Sequence, residues 1–309
     1  MKEHYPHVGL HKLCALFGTS RQAYYQHQNR AHQNCMETTL ILDKVRQVRL
    51  GLPRTGTIKL HKMLKSDLST HHISIGRDRL RDLLRDNNLL VRPTKRYYVR
   101  TTDSSHHYRK WSDLTGTIRL SRSHQLWVSD ITYLRTKEEG FLYLSLITDA
   151  WSRKIIGHHL SYSLSAKGCV SALNKAIGQL PQGAGSALIH HSDRGIQYCC
   201  ERYVKALEKQ HIGISMTQSG SPYENAKAER VNGILKTELG LRLELQNYGE
   251  ALRAVNRAID LYNRIRLHFG CGLRTPEQTH QAGKTSQIQP INPKQLRNQT
   301  TCKPKSVLL

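Results

Sequence analysis

Three carboxylates stand in settings that solvated surface does not explain. Asp130 sits in Leu126-Trp127-Val128-Ser129-Asp130-Ile131-Thr132-Tyr133. Asp193 closes Ala187-Leu188-Ile189-His190-His191-Ser192-Asp193 and is followed at once by Arg194-Gly195. Glu229 lies in Glu224-Asn225-Ala226-Lys227-Ala228-Glu229-Arg230, with 62 residues between the first two acids and 35 between the last two. Two acids at strand ends and a third on a helix can converge on divalent metal. Hard, anionic oxygen ligands of this kind suit Mg2+, with Mn2+ as its substitute. Two such ions about 4 Å apart activate the attacking oxygen and stabilise the leaving oxygen of an in-line phosphoryl displacement. Gathering three acids without metal is costly, because like charges raise one another's pKa. A lone Asp is more often a turn or a cap: Gly195 fits a turn after Asp193, and Arg230 could pair with Glu229. The three together, in this order, favour the metal reading. Asp149, which ends an apolar run before Ala150-Trp151-Ser152-Arg153, reads as a turn residue.

The elements around the acids give them a geometry. Residues 125–134, 140–148 and 154–162 read as three short strands separated by turns. A helix at about 165–179, a strand at 187–191, a helix at 196–210 and a short strand near Ile214-Ser215-Met216-Thr217 follow. Two longer helices, about 223–240 and 248–267, come last. Three antiparallel strands and then alternating helix and strand is the order of a ribonuclease-H-like α/β fold. In that order Asp130 lies on the first, central strand, Asp193 at the end of its neighbour, and Glu229 on a helix packed across the same edge. Asn225, Glu229, Asn232, Gly233 and Lys236 share one helix face by their 3–4 spacing. Lys236 and Asn225, with the adjacent Arg230, are candidates for DNA contact beside the metals; a solvated face is the alternative for Lys236.

The chain upstream looks built to hold a polyanion. Over 309 residues, 47 Lys and Arg against 23 Asp and Glu leave a net charge of +24. The excess is +14 up to residue 124 and +10 beyond it. Phosphate neutralisation with counterion release is the natural use of such charge, although charge alone does not separate this from a merely basic protein. Leu10, Leu13, Leu16 and Phe17 recur at helical spacing, Gly18 ends that helix, and Thr19 or Ser20 caps the next. This predicts an N-terminal helix-turn-helix over 1–35, with Arg21, Gln22 and Tyr25 on its second helix; a plain helical hairpin is the alternative. A second helix-turn-helix is expected over 36–92. It comprises a helix from Thr39 to Leu50, a basic turn carrying Arg54, a helix with Ile58, Leu60, Met63 and Leu64, and a last helix. On that last helix Arg77, Arg81 and Arg85 share a face away from Leu80, Leu83 and Leu84. They suit DNA, although Asp78 and Asp82 also allow intrahelical pairs. Residues 93–124 read as a basic linker in which Lys95 and Arg96 beside Tyr97 and Tyr98 suit backbone contact and stacking, or as a simple tether. The core is expected over 125–283, and a flexible basic tail over 284–309.

Composition excludes other classes. No stretch approaches ~18 apolar residues and the N-terminus lacks a signal-peptide run, so a cytoplasmic protein, nucleoid-associated through DNA, is expected. The seven cysteines include no C-x-x-C pair, which fits a reducing compartment and argues against a zinc cage at the N-terminal histidines.

The motifs around the three acids, Trp127-Val128-Ser129-Asp130-Ile131-Thr132-Tyr133, His191-Ser192-Asp193-Arg194-Gly195-Ile196-Gln197-Tyr198 and Glu224-Asn225-Ala226-Lys227-Ala228-Glu229, resemble the retroviral-integrase-type core of bacterial insertion-sequence transposases. The chain resembles the second-frame product of the IS-three family most of all. Tyr262-Asn263, Arg266-Leu267-His268 and Thr275-Pro276-Glu277 resemble that family's closing segment, and 38–92 its helix-turn-helix. The resemblance covers about 10–280. Two departures are Glu224, where the family commonly has Asp, and the absence of a leucine-zipper heptad run. The resemblance implies a DDE transposase whose Asp130, Asp193 and Glu229 hold two metal ions per site. It implies cleavage at a transposon end to expose a 3′-hydroxyl, which then attacks another phosphodiester without ATP. It also implies double-stranded DNA partners (terminal inverted repeats and target), a homo-oligomer of two or more protomers on DNA, and an upstream-frame partner protein. A purely hydrolytic ribonuclease-H-like nuclease and a non-enzymatic DNA-binding repressor are the competing readings. The N-terminal modules argue against the first, and the intact acids against the second.

Overall fold

The computed structural model describes residues 6–92, 108–181, 183–218 and 225–283. Lys95, Arg96, Glu224 and the tail 284–309 lie outside the described residues. The chain divides into two compact units, one of 1–51 with 55–92 and the other of 52–54 with 93–309.

The first unit is all helical: α1 (Leu10–Leu16), α2 (Arg21–Gly51), α3 (Thr57–Thr70) and α4 (Arg77–Asp86). Gly18 takes a left-handed φ of 63° after α1, which a residue with a Cβ adopts only at a cost. Ser20 Oγ then accepts from Ala23 N at 3.0 Å and caps α2. The sequence predicts a separate helix beginning at Thr39, and here the structure corrects it. α2 runs unbroken for 31 residues, across positions 35 and 36, because no Gly or Pro interrupts it. Its C-terminal part buries Ile41 and Val45 against Leu60, Leu64 and Leu68 of α3 and Leu80 and Leu84 of α4. Lys44 pairs with Asp67 at 3.0 Å across α2 and α3.

The second unit is built on a five-stranded sheet: β1 (Leu126–Thr136), β2 (Gly140–Asp149), β3 (Ile155–Ser161), β4 (Ile189–Ser192) and β5 (Gly213–Met216), in the order β3-β2-β1-β4-β5. β1, β2 and β3 form an antiparallel meander, whereas β4 and β5 run parallel to β1. This is the ribonuclease-H-like arrangement. The helices are α5 (Ala166–Ile177), α6 (Ile196–Cys199), α7 (Glu201–Glu208), α8 (Ala226–Glu238), α9 (Tyr248–Asp260) and α10 (Pro276–Gln281). Side-chain alternation splits the core. Trp127, Ile147 and Ile156 pack with Leu173, Tyr203 and Leu207 on the α5 and α7 side. Leu134, Leu144 and Leu160 pack with Val231, Ile234, Leu235 and Val255 on the α8 and α9 side.

Two expectations shift. The helix expected at 196–210 is two helices, α6 and α7, meeting at Cys200, whose φ of −67° and ψ of 146° are extended. The helix expected to 267 ends at Asp260 and passes into a π turn, Leu261–Ile265. The stretch from 108 is not a free linker: Trp111 packs against the α5-side core, Leu114 N donates to Ser215 Oγ at 2.9 Å, and Met216 N donates to Ser112 O at 3.4 Å. Among the described residues no helix is long and apolar enough to cross a membrane.

Gly157 shows how closely α5 lies on β3. A Cβ there would fall inside contact distance of the Ala172 carbonyl oxygen and 3.0 Å from Ala176 Cβ. Gly157→Ala is therefore expected to destabilise the second unit by about 1–3 kcal/mol through overpacking. A urea midpoint matching that of the parent protein would show that α5 can retreat freely.

Candidate active site

The strand register brings the first two acids together. β1 pairs with β4 through Leu126↔Ile189, Trp127↔His190 and Val128↔His191. β4 ends at Ser192, so Asp193 arrives where β1 continues paired only with β2, alongside Asp130. Gly195 N donates to Asp193 Oδ1 at 3.0 Å and holds that carboxylate at the turn. The two strands are locked beneath this point. Buried His190 meets Ser129 Oγ at 2.6 Å and Tyr203 Oη at 2.9 Å, and burial pushes its pKa down to about 3, so it is neutral. His191 Nδ1 meets Ser215 Oγ at 2.9 Å and ties β4 to β5.

α8 supplies the third acid. Asn225 Nδ2 donates to Ser129 O at 2.9 Å, and Asn232 Nδ2 donates to Asp130 Oδ2 at 2.7 Å. These two amides pin the helix across β1, and Glu229 lies between them on the same face. Glu229 is exposed, with its pKa raised by partial burial. Asp130 keeps some surface open, yet enough protein crowds its carboxyl to raise the pKa from the ordinary 3.8 to about 7. Burial is the largest cause, the neighbouring Asp193 charge the next to raise it, and Glu229 a smaller one; Ile131 N and the Asn232 amide oppose them. Among the described residues no three metal-ligating side chains already converge at bonding distance. The arrangement is a notch of negative charge, tightest between the aspartates.

Lys236 reaches the same notch. Its amine lies 4.1 Å from the centre of the Tyr133 ring, and burial lowers its pKa while the charge of Asp130 opposes that shift. Asn225, expected at the DNA surface, is 7% exposed and committed to β1, which corrects that expectation. Arg230 is exposed at the start of α8. Asp149 is a fold residue, as its position before a turn suggests: fully buried, it accepts from His124 N and from the backbone and hydroxyl of Ser152.

In the helical unit, Arg21, Gln22 and Tyr25 are exposed near the start of α2; Arg54, which belongs to the second unit, is half-exposed. Arg77 pairs with Asp78 at 3.1 Å and Arg85 with Asp82 at 2.7 Å, so two of the three α4 arginines carry acidic companions; Arg81 is exposed. Sequence reasoning placed Asn232 on the Glu229 face but gave it no role, and it missed Tyr133 as the seat of Lys236. Helical spacing from Glu229 was the available signal for Asn232. Strand alternation puts Tyr133, three residues past Asp130, on the opposite face of β1, so no local signal pointed to it.

Two family models, each described as an integrase core domain, match residues 121–222 and 210–276. The chain is 33% identical over 278 residues to the insertion element IS600 uncharacterized 31 kDa protein of Shigella sonnei, covering 87% of this chain and 99% of that protein. It is 32% identical over 185 residues to the transposase for insertion sequence element IS629 of Shigella sonnei, across 60% of this chain and 61% of that one. It is 39% identical over 160 residues to transposase InsF for insertion sequence IS3A of Escherichia coli, across 51% and 54%. The HTLV-2 integrase catalytic core domain in complex with magnesium superposes with a TM-score of 0.42 at 20% identity, over 52% of this chain and 99% of that one.

The raised pKa of Asp130 sets a pH dependence for the metal-free protein. A carboxyl that titrates near 7 when folded and near 3.8 when unfolded costs nothing below about pH 4. The cost grows as pH rises between those values and is complete above about pH 7. Asp130→Asn cannot ionise. In chelator-treated protein it is expected to be more stable than the parent by about 1–2 kcal/mol at pH 8, after discounting for solvent screening. The gap should close by pH 4. A stability difference that ignores pH in denaturant titrations would remove the strain assigned to Asp130.

Proposed function

This chain belongs to the insertion-sequence transposases of the IS-three family, with an integrase core, and we propose that Asp130, Asp193 and Glu229 are its catalytic and metal-holding residues. The observation that carries this assignment is the register that sets Asp130 beside Asp193, with α8 tied across them by two amides. The donor set fits a hard divalent cation. It consists of carboxylates, and the one at its centre is pushed toward protonation by burial and a like charge that a cation would offset. Mg2+, with Mn2+ as a substitute and two ions per site, is the cofactor we assign. Bound there, the metal supplies charge neutralisation at the phosphodiester and activation of the attacking oxygen.

The chain's own residues do the rest. Asn232 orients Asp130 through the bond to Oδ2, and the Gly195 amide orients Asp193. Lys236, held over Tyr133 beside the acids, takes a backbone phosphate of the bound strand. The protein is a DNA transposase and polynucleotidyl transferase. At this site a 3′-hydroxyl oxygen bonds to phosphorus, and the bond from that phosphorus to the departing 3′ oxygen breaks. One phosphodiester replaces another, so no nucleotide is consumed. The helical unit, with Arg21, Gln22, Tyr25, Arg77, Arg81 and Arg85, binds the transposon ends, together with Arg54. Arg230 and the segment holding Lys95 and Arg96 add backbone contacts. Two or more protomers assemble on the DNA, with an upstream-frame protein as a further partner.

Asp130→Asn, Asp193→Asn and Glu229→Gln are each expected to abolish Mg2+-dependent joining of end oligonucleotides while leaving end binding intact. Normal joining by any one of them would defeat the site assignment. Replacing Arg77, Arg81 and Arg85 with Ala should weaken end binding and reduce the slope of log affinity against log salt by about 1–3, roughly one per lost phosphate contact. An unchanged slope would move the DNA surface elsewhere.

A further inference from the structure

Beyond residue 128, β1 has no partner on its β4 side, and a cavity of about 430 Å³ opens there. Asp130 and Asp193 form its polar end. The remaining lining includes Ile131, Tyr133, Phe141, Tyr143, Leu164 and Tyr198. Its size is at the lower end of the ~300–1,000 Å³ typical of small-ligand sites. Phe141 is 48% exposed and Leu164 39% exposed, so apolar surface borders the charged notch. Tyr198 is only 3% exposed, and its hydroxyl has no hydrogen-bond partner among the described residues. Buried phenols ordinarily have one. Two cations border the cavity: Lys236 sits 4.1 Å from the Tyr133 ring centre, and Arg135, which also lies 3.8 Å from a Glu244 carboxylate oxygen, 5.8 Å from that of Phe141.

We propose that this cavity takes one unstacked nucleobase of the DNA strand whose phosphodiester lies at Asp130 and Asp193. The inference rests on the assignment of those acids as the reacting centre. Because the cavity begins at the acids, its occupant is continuous with the reacting phosphate. An aromatic wall offers a π-face to any base, the two cations meet the flanking phosphates, and the Tyr198 hydroxyl is left to bond a base edge. A bare phosphate would gain nothing from the apolar wall. A base drawn out of the stack there would fix the scissile bond in register with the acids, at the cost of unstacking.

The test uses end duplexes carrying a single abasic site at each position near the joining point, with the full-length protein, Phe141→Ala, Tyr198→Phe and Asp130→Asn. Phe141 is exposed enough to truncate, and Tyr198→Phe keeps the buried ring, so one of the two serves if the other misfolds. An abasic site at one position within two nucleotides of the reacting phosphate should slow joining by the parent protein by roughly 5- to 100-fold, the worth of one base–aromatic stack. Phe141→Ala should lose a comparable factor on intact DNA and little further on that abasic DNA. Tyr198→Phe should behave likewise with a smaller loss. Penalties that multiply independently at every position, with Asp130→Asn inactive, would overturn the base pocket and leave the site assignment standing. Joining by Asp130→Asn would instead overturn the assignment beneath it.

Discussion

The parallel pairing of β1 with β4 is the constraint on which the rest of the catalytic unit depends. Three register positions, ending at Val128↔His191, decide that Asp130 and Asp193 face one another where β4 stops. A slip of one residue would send Asp130 to the other face of the sheet, because side chains alternate along a strand. The protein guards this register from below. Neutral His190 bridges Ser129 on β1 and Tyr203 on α7, and His191 bonds Ser215 on β5. A protonated His190 would lose its acceptor capacity, so the burial that keeps it neutral also preserves the lock. The motif His190-His191-Ser192-Asp193 is thus two structural histidines delivering one functional acid.

The C-terminal part of the unit closes on the same strands from the other end. Asp149 gathers His124 N and Ser152, and Ser152 Oγ meets His280 Nδ1 of α10 at 2.9 Å. Lys154 pairs with Glu277 at 2.8 Å, and Asn263 exchanges two hydrogen bonds with the backbone of Ile155. The motif residues Asn263, Thr275 and Glu277 therefore act by fastening the chain's return to the β2–β3 turn. Thr275 and Gln278 form a capping box that starts α10 at that position. None of these residues touches the acids. Their work is to hold the meander of which β1 is the inner strand.

The sequence made the three acids and the strand order legible because both follow local rules: apolar runs of strand length, turn residues between them, and a helix face read at 3–4 spacing. The cap at Ser20 and the stop at Gly18 were legible for the same reason. The unbroken α2 was not. Its N-terminal half is mostly exposed and shows no apolar stripe, so periodicity suggested two helices where the absence of any breaker allowed one. Asn225 was read as a surface contact because a helix wheel gives the shared face but not the depth; only the packing of α8 on β1 shows that its amide is spent on Ser129 O. The residues at 108–124 looked like linker because their contacts are made with distant elements, such as Leu114 N with Ser215 of β5 about a hundred positions later and Ser123 with His280 of α10, beyond any local signal.

Several buried polar groups near the acids go unmet, as do Arg49 Nε, Arg153 Nε and the Tyr262 hydroxyl elsewhere among the described residues. The Oδ1 atoms of Asn225 and Asn232, the hydroxyl of Tyr198 and Nδ1 of His190 are all buried without a hydrogen-bond partner among the described residues. Each such group costs about 1–3 kcal/mol when left unmet. Asp130 adds a carboxyl held near neutrality between its two protonation states. A sequence selected for stability alone would replace these groups with apolar ones of the same shape. Where such groups lie beside Asp130 and Asp193, within a sheet whose two faces are otherwise packed with aliphatic and aromatic side chains, the fold forgoes the stability that apolar replacements would give. The two asparagines show the trade most directly. Each uses its donor to fix α8 against β1 and leaves a buried acceptor unmet, so the helix that carries Glu229 is positioned by two amides committed within the fold.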